Sequence, residues 1–289
     1  MKTLLLDVGG TFIKCSDGRE IPIRSDGSRE EISSSFAEAV GAFCNEDSCV
    51  NDAETASGNR ERDCEIAVAI PGPFDYERGI FLMKHKFSAV YGMSFREVAG
   101  VPSCVRLLFT HDVNVMLAGE MFYGNGRGYS RVALVALGTG LGFAMSIDGR
   151  ILKKATGSPL VSIFGLPYRD GILEDYASKR GFLGTFKALG GQGAATVKDI
   201  AEFAGGGDKA ALETFRTIGS TIARTISPIL KEYGIECLLF GGQISRSFRF
   251  LEPALREELS GVESLVDISQ VSNFDNATFN GLRALLRQE

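Results

Sequence analysis

The sequence contains no apolar run approaching the roughly 18 residues that a membrane-spanning helix needs. It starts with Met-Lys and a leucine run and lacks the small-residue cleavage site of a signal peptide, so we expect neither a membrane protein nor export. The six cysteines include no C-x-x-C pair, which indicates neither a zinc knuckle nor a disulfide framework. Reduced thiols in a cytoplasmic protein fit this pattern.

Positive charge is not concentrated in any part of the chain, whose formal net charge is -5. Because nucleic-acid binding requires a concentrated positive face, we expect small molecules as partners instead. Both standard nucleotide fingerprints are also missing. The P-loop pattern G-x-x-x-x-G-K-[ST] does not occur, and GTGLGF at 138–143 lacks the final glycine spacing of G-x-G-x-x-G.

The residues that are present alternate apolar runs with stretches of helical spacing, which predicts an α/β protein. A length of 289 residues allows about two domains. Strands are predicted at 4–6, 66–70, 105–109, 132–137, 142–147 and 237–240, and helices at 32–43, 114–122 and 210–233. The polar, charged segment 45–63 predicts a mobile surface insertion.

Three predicted strands are each followed by a glycine turn. These turns contain Gly9, Gly10 and Thr11; Gly138, Thr139 and Gly140; and Gly241 and Gly242. Glycine lets backbone N–H groups approach an anion without a Cβ in the way, although a tight β-hairpin also uses glycine and explains any single turn as well. Three such turns favour phosphate binding. The first two share a strand–turn–strand pattern, which predicts two similar lobes.

Six motifs occur in the order found in the ROK sugar kinases: DVGGTFIK, AIPGPFD, HDVNVMLAGE, ALGTGLG, GILEDYAS and LFGGQIS. The sequence resembles this family from residue 4 to at least 245. The resemblance implies a two-lobed, actin-like ATPase (ribonuclease-H-like) α/β fold with an interlobe cleft for ATP and a sugar. The lobes are expected at 1–112, completed by a C-terminal helix at 276–289, and at 113–275. A homodimer is also expected.

The resemblance implies a role for every glycine turn, with ATP and Mg²⁺ as cofactors. Asp7 matches the aspartate that orients Mg²⁺, often through water, which suits a hard ion that keeps part of its hydration shell. The β- and γ-phosphates would be held by Gly9, Gly10 and Thr11 from one lobe and by Gly138, Thr139 and Gly140 from the other. Gly241 and Gly242 would lie against the α-phosphate and adenosine.

Further residues match the family's sugar site. Asp112 matches the general base that takes the proton of the attacking sugar hydroxyl, although its place before a helix also suits an N-cap. Glu174 matches a glutamate that hydrogen-bonds sugar hydroxyls, and an exposed helix glutamate is the alternative. Pro71 and Gly72 match a turn beside the sugar, or form a purely structural turn. His111 replaces the family's usual sugar-binding Asn and could still hydrogen-bond, or be a buried structural histidine.

The chain departs from the family between its second glycine turn and Glu174. The usual G-E-x-G-H stretch is replaced by KKATGSPLVSIFGL at 153–166, and no cysteine precedes Glu174. We therefore expect no zinc, and a loop held by apolar contacts of Ile163, Phe164 and Leu166. Glu120 is expected to be a structural helix carboxylate rather than a catalytic one.

The retained phosphate and base elements favour an active enzyme. The predicted function is ATP-dependent, glucokinase-like phosphorylation of a hexose or amino-sugar hydroxyl. The alternative is a catalytically weak or inactive regulatory protein of the same fold that binds a sugar or a nucleotide. A DNA-binding repressor is not expected, because Asp7 lies too close to Met1 for an amino-terminal helix-turn-helix.

Overall fold

Two five-stranded mixed sheets organise the chain, and each lies in its own compact unit. The structure is a computed structural model that describes residues 2–44 and 64–287. The first unit comprises Met1–Val115, Lys153–Ser158 and Thr278–Glu289, and the second comprises Met116–Leu152 and Pro159–Ala277. This division assigns 153–158 to the first unit, which differs from the predicted lobes. The predicted insertion at 45–63 lies outside the described residues.

The sheet of the first unit is built around two buried parallel strands. Its strands are β1 (Lys2–Val8), β2 (Phe12–Cys15), β3 (Glu20–Pro22), β4 (Cys64–Ile70) and β7 (Arg106–His111), and a separate hairpin contains β5 (Phe74–Asp75) and β6 (Ile80–Phe81). The strand order is β3-β2-β1-β4-β7, with β1 antiparallel to β2 and parallel to β4. Both faces of β1 and β4 are covered, which explains their continuous apolar sequences.

The sheet of the second unit repeats this topology. Its strands are β8 (Arg131–Leu137), β9 (Leu141–Ile147), β10 (Arg150–Ile151), β13 (Cys237–Gly241) and β14 (Asp267–Gln270), and a small hairpin contains β11 (Pro167–Tyr168) and β12 (Gly171–Ile172). The order is β10-β9-β8-β13-β14, with β8 antiparallel to β9 and parallel to β13. The similarity of the first two glycine turns in the sequence thus reflects a repeated sheet.

Helices cover the faces of each sheet. Those in the described part of the chain are α1 (Arg29–Cys44), α2 (Phe95–Ala99), α3 (Asp112–Tyr123), α4 (Leu173–Ala177), α5 (Lys179–Ala188), α6 (Val197–Gly205), α7 (Lys209–Tyr233), α8 (Phe248–Leu259) and α9 (Ala277–Leu286). In the first unit, Leu282 of α9 packs with Leu5 and Val115 on one sheet face, whereas Leu4 and Leu6 join a separate core. This alternation follows from the two-residue period of a strand.

The six predicted strands are confirmed as parts of β1, β4, β7, β8, β9 and β13, and the predicted helices as parts of α1, α3 and α7. No helix among the described residues is both long and apolar enough to cross a membrane. Cys15, Cys44 and Cys237 are free thiols. Cys64 is disulfide-bonded, which corrects the expectation of reduced thiols throughout.

Candidate functional site

The first glycine turn is the loop of the β1–β2 hairpin. One backbone hydrogen bond closes it, from Gly9 N to Phe12 O at 2.9 Å. The carbonyl oxygens of Gly10 and Thr11 accept from Ser25 N at 3.3 Å and Ile23 N at 2.9 Å. These bonds use the carbonyl groups of Gly10 and Thr11. The N–H groups of the same two residues take no part in the bond that closes the turn. The hairpin and anion-binding interpretations are therefore compatible, because N–H groups at such a turn can bind an anion.

Asp7 lies near the end of β1, two residues before this turn. The pKa of its carboxyl is raised to about 6. Burial is the larger cause of this increase, and repulsion by the Asp112 carboxylate is the smaller one. The positive charge of Lys14, its partner across the hairpin, and a hydrogen bond from the Thr278 side chain act in the opposite direction. Asp7 is therefore a carboxylate whose negative charge is incompletely compensated by protein groups.

Asp112 follows β7 directly and begins α3. Its Oδ1 lies 2.6 Å from His111 Nδ1 and accepts a 2.7 Å hydrogen bond from Val113 N. Desolvation by the surrounding protein raises the pKa of Asp112, but attraction to His111, hydrogen bonds from His111 and Val113, and the charge of Lys86 hold it below its usual range. The Asp112 side chain is 48% exposed. An ionised, accessible carboxylate is the form that a general base requires.

His111 is packed against the turn that contains Pro71 and Gly72. A Cβ at Gly72 would lie 3.4 Å from His111 Cδ2 and Nε2 and from the Tyr76 hydroxyl oxygen, so the turn is close to both side chains. The ring centroids of Tyr76 and His111 are 5.7 Å apart, and the Tyr76 hydroxyl donates to Ile70 O at 3.0 Å. The first unit thus brings the predicted turn, His111 and Asp112 together.

Residues 153–158, from the stretch that replaces the family motif, also reach this group. Tyr76 N donates to Thr156 O at 3.0 Å, and Asn114 Nδ2 donates to Gly157 O at 3.1 Å. Asn114 is 1% exposed, and its Oδ1 has no hydrogen-bond partner among the described residues. The sequence did not indicate that Tyr76 and Asn114 lie here. The only signal was the replaced stretch 153–166, which supplies the carbonyl groups that both residues contact.

The second glycine turn is the loop of the β8–β9 hairpin. Gly138 N donates to Gly140 O at 3.0 Å, and Gly138 O accepts from Lys179 N at 2.9 Å. Glu174 Oε2 accepts from Leu141 N at 3.0 Å and would lie 2.9 Å from a Cβ at Gly140. Glu174 also pairs with Arg180 at 3.4 Å. Its carboxylate therefore anchors the turn, a contact that the sequence does not predict.

The third glycine turn packs directly against the strand before the second one. Gly242 has φ of +80°, and a Cβ there would lie 2.3 Å from Leu137 O. A Cβ at Gly241 would lie 2.3 Å from Met116 Sδ. The Ser245 hydroxyl donates to Gly241 O at 2.6 Å and holds the turn from its other side. Close packing on the backbone requires glycine at position 242, and the second unit brings two predicted phosphate turns together.

The carboxylates of the first unit fit a magnesium ion. Carboxylate oxygens are hard ligands that Mg²⁺ prefers, and the repulsion between Asp7 and Asp112 is the interaction that a divalent cation would relieve. No group of three or more His, Cys, Asp or Glu side chains that could hold a metal occurs within 2–44 and 64–287. Mg²⁺ would then keep water and substrate phosphate as ligands. The expected absence of zinc stays a prediction.

Two expectations about supporting residues have different outcomes. Glu120 is structural, as expected: it is 2% exposed and accepts from Ser272 N and Asn125 N at 3.0 and 2.9 Å. Ile163 is buried in the core of the second unit and Leu166 packs against that core, but Phe164 is 48% exposed. The predicted apolar contact of Phe164 is therefore wrong, because its side chain faces solvent.

Comparison with known proteins identifies relatives among sugar kinases. A model of the ROK family matches residues 6–159 and 167–288. A glucokinase from Thermotoga maritima is 25% identical over 216 residues, which cover 67% of this chain and 68% of the glucokinase. The DNA-binding transcriptional repressor Mlc from Escherichia coli is 25% identical over 218 residues, covering 69% of this chain and 53% of the repressor.

The fold agrees with that of a solved relative. A ROK family glucokinase from Streptomyces griseus, crystallised with glucose and AMPPNP, superposes with a TM-score of 0.74. Sequence identity is 20%, and the match covers 99% of each chain. The mixed α/β architecture with two sheets is therefore that of the two-domain, actin-like sugar kinases.

Proposed function

Because the chain belongs to the ROK family, we propose that it is an ATP-dependent kinase that phosphorylates a hydroxyl group of a hexose or amino sugar. One observation supports this function above the others. In the first unit, the coupled carboxylates of Asp7 and Asp112 lie with a glycine turn at the ends of parallel strands. A turn for phosphate, a carboxylate for Mg²⁺ and a carboxylate for a proton are the parts that phosphoryl transfer needs.

Asp112 is the proposed general base. Its carboxylate takes the proton of the acceptor hydroxyl while the hydroxyl oxygen forms a bond to the γ-phosphorus of ATP. The bond between the γ-phosphorus and the β–γ bridging oxygen breaks, and ADP leaves with that electron pair. The hydrogen bond from His111 to Asp112 holds the carboxylate in one orientation. His111 Nε2, beside Gly72, is a candidate for contact with a sugar hydroxyl.

The glycine turns have proposed roles in nucleotide binding. Gly9, Gly10 and Thr11 would donate N–H and hydroxyl groups to the terminal phosphates, as would Gly138, Thr139 and Gly140. Gly241 and Gly242 would lie against the α-phosphate and adenosine. Such donors stabilise charge that develops during transfer without reorganising.

Asp7 is the proposed ligand of Mg²⁺, directly or through water, and the ion would neutralise phosphate charge when it is bound. Glu174 has two compatible roles: its Oε2 anchors the second turn, and its other carboxylate oxygen is a candidate acceptor for a sugar hydroxyl. The contact of Glu174 Oε1 with Arg180 is long, at 3.4 Å, so a sugar hydroxyl could compete for this oxygen. The homodimer and the cytoplasmic location stay predictions.

The similarity to the repressor Mlc supports a second candidate, a regulatory protein that binds sugar or nucleotide without transfer. A panel of hexoses and amino sugars assayed for ADP release with ATP and Mg²⁺ separates the two functions. We expect turnover with at least one sugar. Binding of sugar and nucleotide by calorimetry without any ADP release across the panel would favour the regulatory protein.

The role of Asp112 is tested by Asp112→Asn, which keeps the size of the side chain and removes the base. We expect kcat to fall at least about a hundredfold, because general-base catalysis contributes on that order. Asn and Ser are both good residues for the start of a helix, so Asp112→Ser controls for a capping role. Turnover retained in both variants would mean that Asp112 only starts the helix.

A further inference from the structure

A lysine that belongs to none of the recognised motifs lies beside the first glycine turn. A Cβ at Gly10 would lie 3.7 Å from both Cε and Nζ of Lys86, so the ammonium group is next to the backbone of this turn. Lys86 is partly buried, and it lies in the segment between β6 and the short helical turn Ser88–Val90. The chain therefore places a positive charge beside the first glycine turn.

The neighbouring residue fixes the backbone position of Lys86. Phe87 has a left-handed backbone with φ of 53°, and its fully buried ring packs against Phe36 and Phe81 at centroid distances of 5.9 and 5.7 Å. Phe87 N donates to Ser25 O, and Ser25 N in turn donates to Gly10 O. The backbone of Lys86 is thus held near the turn by its buried neighbour and by a short path of backbone hydrogen bonds, and its long side chain keeps its freedom.

The charges around Lys86 support an anionic ligand. Its ammonium group acts electrostatically on Asp112, but it forms no ion pair within 4.0 Å of a carboxylate among the residues described. Lys14, the other lysine near this turn, instead pairs with Glu20 at 3.7 Å. Lys86 therefore keeps its donors for a group that approaches the turn from outside the protein.

We propose that Lys86 binds the terminal phosphate of the nucleotide at the first glycine turn. This inference rests on the proposed kinase function. The ammonium group would donate to a γ-phosphoryl oxygen and remain with that group during its transfer to the acceptor hydroxyl. As a mobile point charge on a long side chain, lysine can follow the phosphorus over this short distance. Lys86 would thus be a catalytic residue of the phosphoryl-transfer step.

The test compares two nucleotides in a calorimetric binding assay with Mg²⁺. In Lys86→Met, which keeps the apolar stem and removes the charge, we expect the affinity for AMPPNP to fall about tenfold or more, as for a lost charged hydrogen bond. Affinity for AMP, which lacks the terminal phosphates, should change less than about twofold. In the kinase assay kcat should fall, and Lys86→Arg should restore part of the AMPPNP affinity because it restores the charge.

Lys84→Met is the matched control, because Lys84 lies two residues away and its ammonium group is over the Tyr91 ring, 5.4 Å from the centroid. This control should bind both nucleotides as the wild type does. Unchanged AMPPNP affinity in Lys86→Met, or an equal loss for AMP and AMPPNP, would overturn the role of Lys86 alone. If the wild type bound neither nucleotide, the proposed kinase function would fail together with it.

Discussion

The two units share one sheet topology but carry different chemistry at corresponding positions. In each, the central strand is paired with an antiparallel strand through a glycine-containing hairpin loop and with a parallel strand on its other side. Two residues before the turn, the first unit has Asp7 and the second has Ala136. The repeated backbone therefore supplies two similar turns, whereas only the first has a carboxylate at this point.

The surroundings of the two turns differ in the same way. Near the first turn are two carboxylates that repel each other and the ammonium group of Lys86. The second turn is held by Glu174, whose carboxylate accepts from Leu141 N, and by the close packing of Gly242 on Leu137. One turn is surrounded by charges suited to catalysis and the other by contacts that fix a backbone. The repeated fold thus presents two similar turns in different electrostatic surroundings.

The largest expected effect tests whether the charge at Asp7 matters. Asp7→Asn should lower kcat at least about a hundredfold, because the variant loses the charged ligand proposed for Mg²⁺. Ala136→Ser, the control at the corresponding position of the second unit, should change kcat less than about threefold. Both values come from the sugar-dependent ADP-release assay. Comparable turnover in the two variants would remove the chemical distinction between the units.

A smaller effect is expected on stability at the turns of the second unit. Gly242→Ala introduces a Cβ at a positive φ and 2.3 Å from Leu137 O, so we expect the free energy of unfolding to fall by about 2–3 kcal/mol. Gly138→Ala meets no atom within 4 Å and should change it by less than about 0.5 kcal/mol. Urea denaturation measures both values. Equal losses would contradict the view that Gly242 is fixed by packing.

The sequence predicted the central strands because their apolar runs are long and are covered on both faces. It did not predict β2, β3 and β14, which are short strands with few large apolar residues. Their pairing is decided by neighbouring strands, and three or four residues carry too little pattern to show it. The repeated topology was visible only through the similar first and second turns, since the remaining strands of the two units differ in sequence.

For the proposed site, motif order selected Asp7, Asp112 and the glycine turns. The motifs could not indicate that Glu174 bonds to Leu141 N, because that contact joins residues 33 positions apart. They also passed over Lys86, since lysine on a polar segment is usually solvated. Its place beside Gly10 depends on the burial of Phe87, a tertiary contact. Residues that act through such contacts emerge only when the fold is known.

The smallest expected effect concerns the pH dependence of stability, measured without Mg²⁺ or nucleotide. The pKa of Asp7 is raised from 3.8 to about 6 in the folded chain, so between these values the folded state binds a proton that the unfolded state has released. Its contribution to stability therefore increases as the pH falls through 6 and is complete below 3.8. At pH 7 the ionised carboxylate destabilises the fold, and Asp7→Asn should be more stable than the wild type by about 2–3 kcal/mol. At pH 4.5 this difference should be about a third of its value at pH 7, because folded Asp7 is then protonated like Asn whereas the unfolded carboxyl is still largely ionised. Ala136→Ser should show the same difference from the wild type at both pH values, since no titrating group is changed. A constant difference between Asp7→Asn and the wild type from pH 7 to 4.5 would mean that the first turn carries no uncompensated charge, and the contrast between the two units would then rest on geometry alone.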